Sequence, residues 1–264
     1  NGIESVATEN GYNLIISLNH HITKEELKAV NFFKAKKVDG AILVTTSGDD
    51  DYIRSLVEEG YNIVLLDRDP HGLKVDTVKV DNFRGGYMAT EHLLNLGHSN
   101  ILFIKGIPHI DSSKERFEGY KKALKDKEIK FNNDFILSGN FNVGSGYSSI
   151  EKYLDKYGLN FSAIFASDDQ MAIGAIKALK DKGISVPDDI SIVGFDDSYI
   201  SPYIIPPLTT IKQRREEMGR VAAELLLDRI SSRNKEKRTP RQVIIPVELI
   251  ERKSAIPISS KQRR

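Results

Sequence analysis

Cysteine is missing altogether from the 264 residues. Its absence excludes disulfides, iron–sulfur clusters and cysteine-ligated zinc, and it suits a reducing compartment such as the cytoplasm. Long apolar runs are missing too. Stretches such as Ala41-Ile42-Leu43-Val44 have the length of a strand, too short to cross a bilayer, so no membrane partner is expected. No basic region followed by an apolar one stands at the start, so no signal peptide is visible. A chain that opens at Asn1 without Met reads as trimmed. Nor is there a surplus of one charge sign. Lys and Arg number 38 against 37 Asp and Glu, a formal net charge of +1. A free-standing nucleic-acid binder usually carries a basic excess, which this chain lacks.

The signatures of catalysis are lacking as well. There is no Gly-Lys-Ser/Thr phosphate loop, no Gly-x-Ser-x-Gly elbow and no His-Glu-x-x-His. Gly144-Ser145-Gly146 lacks the third glycine of a dinucleotide loop and reads as a loop feeding a helix over 147–157. His20 and His21 are adjacent rather than spaced on one helical face, which argues against a metal site. Asp49-Asp50-Asp51 reads as negative charge at a helix N-terminus rather than a cation site. The expectation is a protein with no enzyme activity, no cofactor and no metal.

What is present is an alternation. Apolar residues make up 40% and charged residues 28%, as in a globular chain with a sizeable core, in one large domain or two small ones. Leu14-Ile15-Ile16 precedes a helical stretch over 23–37, Ala41 to Val44 precedes 50–59, and Ile63 to Leu66 ends in Asp67-Arg68. Val78-Lys79-Val80 leads into 84–96, Ile101 to Ile104 into 113–127, and Ala163 to Ala166 into 170–182. Ile190 to Val193 follows. Strands apolar throughout suit parallel sheets covered on both faces, and strand–helix alternation predicts an α/β fold. Gly60, Gly97 and Gly183 each follow a helical pattern, where a C-terminal glycine belongs. Open α/β sheets bind ligands beyond the carboxyl ends of their strands. That rule directs attention to Asp67-Arg68, Asp81-Asn82, the loop 108–116, Asp168-Asp169 and Asp196-Asp197.

Several stretches then read together. They include Asp39-Gly40-Ala41-Ile42, Leu66-Asp67-Arg68, Val80-Asp81-Asn82 and His92-Leu93-Leu94-Asn95-Leu96-Gly97-His98. Further on come Arg116-Phe117-Glu118-Gly119-Tyr120, Asp169-Gln170-Met171-Ala172-Ile173-Gly174-Ala175, Val193-Gly194-Phe195-Asp196-Asp197 and Pro206-Pro207-Leu208-Thr209-Thr210-Ile211-Lys212-Gln213. In this order the series resembles the core of the LacI/GalR family of transcriptional repressors, over nearly the whole chain. The resemblance implies two doubly wound parallel-sheet subdomains joined by three crossovers, a type I periplasmic-binding-protein fold. The N-subdomain would hold 1–81 with 213–245 and the C-subdomain 82–212 with 246–256, leaving 257–264 as a flexible tail. A small-molecule effector, a sugar or sugar derivative, would sit in the cleft between them and bias their angle. The family's helix-turn-helix headpiece, its hinge helix and the first strand of the N-subdomain are not in this sequence. Operator DNA would therefore be reached through a headpiece outside it.

Residue by residue, Arg116 falls on the family's effector-binding arginine, and a guanidinium fork matches vicinal hydroxyls or a carboxylate. The bland alternative is a surface arginine at a helix start. Asp196 would accept hydroxyl hydrogen bonds, with a helix cap as its alternative and Asp197 as the better cap. Phe141 corresponds to an aromatic that stacks on the effector, or else is core. Asp168 would contact hydroxyls or cap the helix near Gln170. Asp67 is the N-subdomain's acceptor, or pairs with Arg68, and Ser112 and Gln213 complete the set. The resemblance also implies a homodimer, with Ile200, Tyr203, Ile204 and Ile205 in its interface. The competing readings are the exported sugar-binding protein of a transport system, which shares the fold, and a doubly wound enzyme.

Overall fold

The computed structural model describes residues 1–17, 23–44, 51–232 and 239–258. His20-His21, Asp49-Asp50, residues 233–238 and residues 259–264 of the expected tail lie outside the described residues. The chain divides into two compact units, one of residues 1–80 and 214–246, the other of residues 81–213 and 247 onward.

In chain order the first unit opens with α1 (Gly2–Glu9), α2 (Thr23–Lys36), β1 (Ala41–Leu43), α3 (Asp51–Glu58), β2 (Ile63–Leu66) and β3 (Asp76–Val80). The second unit follows as α4 (Asn82–Asn95), β4 (Ile101–Lys105), α5 (Asp111–Asp126), a 3₁₀ turn (Asn133–Phe135), β5 (Ile136–Ser138), α6 (Val143–Tyr157), β6 (Ala163–Ala166), α7 (Asp169–Asp181), β7 (Ser191–Asp196) and β8 (Thr209–Lys212). The chain returns to the first unit for α8 (Arg215–Ser231) and β9 (Gln242–Ile245), then supplies β10 (Glu248–Ile250) to the second. The first sheet runs β1-β2-β3-β9, all parallel, with Ala41 opposite Ile63, Val64 opposite Asp76 and Val78 opposite Val243. The second runs β10-β8-β7-β6-β4-β5 and is parallel except for β10, which lies antiparallel to β8 at the edge.

β4 shows why its strand is apolar throughout. Side chains alternate between faces. Leu102 and Ile104 join Ile150, Met171, Ala175 and Leu179 of α6 and α7 on one side. Ile101 and Phe103 join Leu93, Tyr120 and Leu124 of α4 and α5 on the other. With helices over both faces there is no wet side for a polar residue. In the first unit Ile53, Leu56, Ile63, Leu65 and Val75 form the core. Asp76, fully buried at the start of β3, takes hydrogen bonds from Arg229 Nε at 2.8 Å and Arg241 N at 2.6 Å.

Three expectations need correction. Leu14-Ile15-Ile16 is no strand; its side chains are exposed, and no strand of the described residues pairs with it. An apolar run becomes a strand only where a neighbour takes up its N–H and C=O groups. The tail does not begin at 257, because Ile258 N donates to Leu96 O at 2.9 Å and its side chain lies over Gly97. The helix expected from 147 starts at Val143, where Asn142 caps it through Ser145 N at 2.8 Å.

Gly146, near its start, serves close packing. A Cβ on Gly146 would come within 2.2 Å of the Met171 carbonyl, and one on Gly174 within 2.0 Å of the Val143 carbonyl, so α6 and α7 cross backbone to backbone. α4 and α5 do the same: a Cβ on Gly86 would stand 2.2 Å from Arg116 O, and one on Gly119 2.2 Å from Phe83 O. Gly86→Ala is therefore expected to destabilise the second unit by about 1–3 kcal/mol, since backbone must shift to admit the methyl. Gly144→Ala, whose nearest neighbour would be Asn142 Oδ1 at 3.5 Å, should be neutral or stabilising. Urea unfolding of the two variants checks the contrast.

Candidate functional site

β4, β6 and β7 run parallel, so their carboxyl ends share one edge of the second sheet. Most of the singled-out residues stand along that edge. Arg116 reaches it from the second turn of α5 and is 3% exposed, which rules out the surface reading. Its Nε donates to Asn82 Oδ1 at 2.8 Å and its Nη1 to the Ser167 carbonyl at 2.6 Å. The guanidinium lies over the Phe195 ring, 3.6 Å from the centroid, and Nη1 is 3.6 Å from Asp196 Oδ1. The fork is thus largely spent inside the protein. Its Nη2 makes no hydrogen bond among the described residues.

Asp196 ends β7 in a left-handed conformation, φ 119°, and its Oδ1 also accepts from Gln213 Nε2. Arg116, Asp196 and Gln213 therefore form one group, joined by an ion pair and a hydrogen bond. No helix follows, so neither Asp196 nor Asp197 is a helix cap. Asp197 instead pairs with Arg252 Nη2 at 2.6 Å. Asp168 does cap a helix: its side chain accepts from Met171 N at 2.8 Å at the start of α7. Burial pushes its carboxyl up to about 7, the negative charges of Asp196 and Asp169 push the same way, and the Met171 N–H and Arg116 pull against them. Asp169 is raised as well, chiefly by burial, against hydrogen bonds from Ser201, Thr210 and Ser198.

Phe141, with φ 62°, lays its ring over Gly106, where a Cβ would stand 2.0 Å from the ring. The ring also packs on the core beside α6 and α7, so it is partly a core residue. Ser112 is buried in the first turn of α5. Asp67 belongs to the first unit, just past β2, with φ 55° and its N–H donated to Val78 O at 2.8 Å. Of the expected interface residues, Ile200, Tyr203 and Ile205 are exposed, Ile205 by 91%. Ile204 differs: the turn that joins Ile204 N to Ile200 O at 3.2 Å sets its side chain against the core beside Leu208. Tyr199, exposed by 84%, belongs with the exposed group, its ring 5.5 Å from that of Tyr203.

Asn82 and Asp169 were marked at strand ends by the sequence but given no role there, and Phe195 and Ser167 were missed. Nothing in the sequence marks the Ser167 carbonyl or the Phe195 ring face as partners of an arginine some 50 to 80 positions away in the chain. Among the described residues no group of His, Cys, Asp and Glu could hold a metal, and no helix is long and apolar enough to cross a membrane.

Residues 90–255 match the family of periplasmic binding protein-like domains. The chain is 35% identical over 261 residues to the HTH-type transcriptional regulator DegA of Bacillus subtilis, covering 98% of this chain and 76% of the relative. It is similar to a complex of the transcriptional regulator CelR with cellobiose, at 30% identity and a TM-score of 0.87, covering 96% of this chain and 76% of that one. It is likewise similar to a LacI family transcriptional regulator from Enterococcus faecium with bound ribose, at 32% identity and a TM-score of 0.86, covering 98% and 92%.

The raised carboxyl of Asp168 gives a pH signature. The folded protein keeps a proton that the unfolded chain, with an ordinary value of 3.8, releases, so stability is lost as pH rises from that value to about 7. Asn caps a helix as well as Asp. Asp168→Asn should therefore gain on the wild type across this range, by up to about 4 kcal/mol. Thermal unfolding at about pH 5 and about pH 8 measures the gain; a difference independent of pH would mean that Asp168 is ionised throughout.

Proposed function

This chain belongs to the LacI family of transcription regulators, and we propose that it senses a small hydroxyl-rich molecule, a sugar or sugar derivative, at the carboxyl edge of its six-stranded sheet. The observation that carries this reading is the arginine–carboxylate pair. Arg116 is held rigidly on the Phe195 face with Nη2 unspent, and Asp196 stands beside it. A fixed donor next to a partly desolvated acceptor suits vicinal hydroxyls, each of which donates and accepts. Phe141 offers a ring face for the apolar side of a sugar, and Asp168, Ser112 and Gln213 supply further polar contacts. The cellobiose and ribose bound to two similar regulators support a sugar.

On this reading the chain works in the cytoplasm as the effector-binding and dimerisation core of a repressor, and operator DNA is met through a headpiece outside this sequence. Tyr199, Ile200, Tyr203 and Ile205 form the contact between two copies. Ligand binding shifts the population of conformers and with it operator affinity. The similar proteins are regulators, which favours this reading over a transport protein or an enzyme.

A thermal-shift screen with ribose, cellobiose, sugar phosphates and purines tests the ligand class. At a hundred times its dissociation constant a ligand stabilises by about 2.7 kcal/mol, which at ~2–4 °C per kcal/mol is a rise of several degrees. Arg116→Ala should abolish it. A full shift in that variant would remove Arg116 from the site. Tyr203→Lys should turn the dimer into a monomer in sedimentation velocity, and an unchanged dimer would place the contact elsewhere.

A further inference from the structure

Asp168 and Asp169 are neighbours in sequence with different surroundings. The first caps α7; the second, wholly buried, turns its carboxylate under the loop that follows β7. Asp169 Oδ2 accepts from Ser198 N at 2.7 Å and Ser201 Oγ at 2.6 Å, and Oδ1 accepts from Thr210 Oγ1 at 2.5 Å. Asp197 N donates to that same Thr210 hydroxyl at 3.4 Å. On β7 itself a Cβ at Gly194 would stand 2.3 Å from Asp169 Oδ1, so the carboxylate occupies the place of a side chain there. One buried group thereby ties β7, the loop 197–201 and β8 together.

The loop needs such a tie. Asp196 at φ 119° and Asp197 at φ 50° both adopt conformations that side chains disfavour. Strained backbone persists only where its surroundings over-determine it. Here the constraints are Asp169 and the Arg252–Asp197 pair. Two features hang on this short segment. At its start stands Asp196, joined to Arg116 and Gln213. Tyr199 and Ile200 lie between the two anchored serines, with Tyr203 and Ile205 just after.

We propose that Asp169 is a positioning residue that couples Asp196 to the exposed apolar face of Tyr199, Ile200, Tyr203 and Ile205. Any ligand that draws on Asp196 displaces that face through the loop Asp169 holds. This rests on the reading that Asp196 meets the ligand and that the apolar face joins two copies.

The test needs no ligand. Sedimentation velocity gives the monomer–dimer dissociation constant of the wild type, Asp196→Asn, Asp169→Asn and the double variant. Asp196→Asn, a change outside the apolar face, should alter the constant about threefold or more in the wild-type background and by less than about 1.5-fold once Asp169 is replaced; coupled sites are non-additive. Ser201→Ala, which removes a single hydroxyl from the tie, serves if Asp169→Asn does not fold, and should reduce the effect of Asp196→Asn. An equal effect in all backgrounds, or none in the wild type, overturns the coupling while leaving the dimer reading intact. A wild type that stays monomeric, or a dimer indifferent to Tyr203→Lys, overturns the dimer reading and the coupling with it.

Discussion

A guanidinium taken out of water must spend its donors on fixed acceptors or not be there at all. Arg116 obeys by giving Nε to an amide oxygen, Nη1 to a main-chain carbonyl and its flat face to an aromatic ring. Each partner comes from a different element: Asn82 from the first residue of α4, Ser167 from the end of β6, Phe195 from β7. The arginine therefore fixes the mutual positions of a helix and two strands at the sheet edge, and they in turn fix it. What is left over of the guanidinium is Nη2, fixed in direction by the contacts of its neighbours.

The close approach of α4 and α5 makes that arrangement reachable. Asn82 sits at the start of one helix and Arg116 in the early part of the other, and Gly86 and Gly119 let the two backbones meet with no side chain between them. With any larger residue the helices would stand further apart and the 2.8 Å bond between Asn82 and Arg116 would lengthen. Packing at the helix crossing and electrostatics at the sheet edge are one constraint seen from two ends.

The strands Ile63–Leu66 and Ala163–Ala166 were legible to the residue, because an unbroken apolar run bounded by polar residues has one good solution in a two-sided sheet. Helix ends were legible to within a few residues where a glycine closed them, as at Gly60, Gly97 and Gly183, all at positive φ. Starts were harder, since Asp81 and Asn142 cap their helices through side chains that equally suit a loop. The edge strands β5, β9 and β10 escaped notice: with polar residues such as Ser138, Gln242 and Glu248 and partial burial, they carry no continuous apolar signal. In the site, residues at strand ends could be nominated from the rule that ligands bind there. What each one touches could not. Asp168 and Asp169 are identical in type and adjacent, and only the path of the chain decides which carboxylate caps a helix and which is swallowed by a loop.

The last strand of the second unit has a history. β10 pairs with β8 only after the chain has left to complete the first unit through α8 and β9. Residues beyond it are stitched deep into what came before. Ser254 Oγ donates to Ile192 O at 2.6 Å, and the buried imidazole of His98 bonds the Ile256 carbonyl 158 positions away. A ribosome makes these partners at very different times. While the middle of the chain is being synthesised, β8 has a bare edge, His98 lacks an acceptor and β3 still waits for β9. Both units must therefore remain unfinished together, and their final closure is a pair of distant loop closures late in synthesis. Such long-range steps are the slow ones in folding. The threading that lets the chain pass three times between its units thus also makes the growing chain dependent on partners that arrive last.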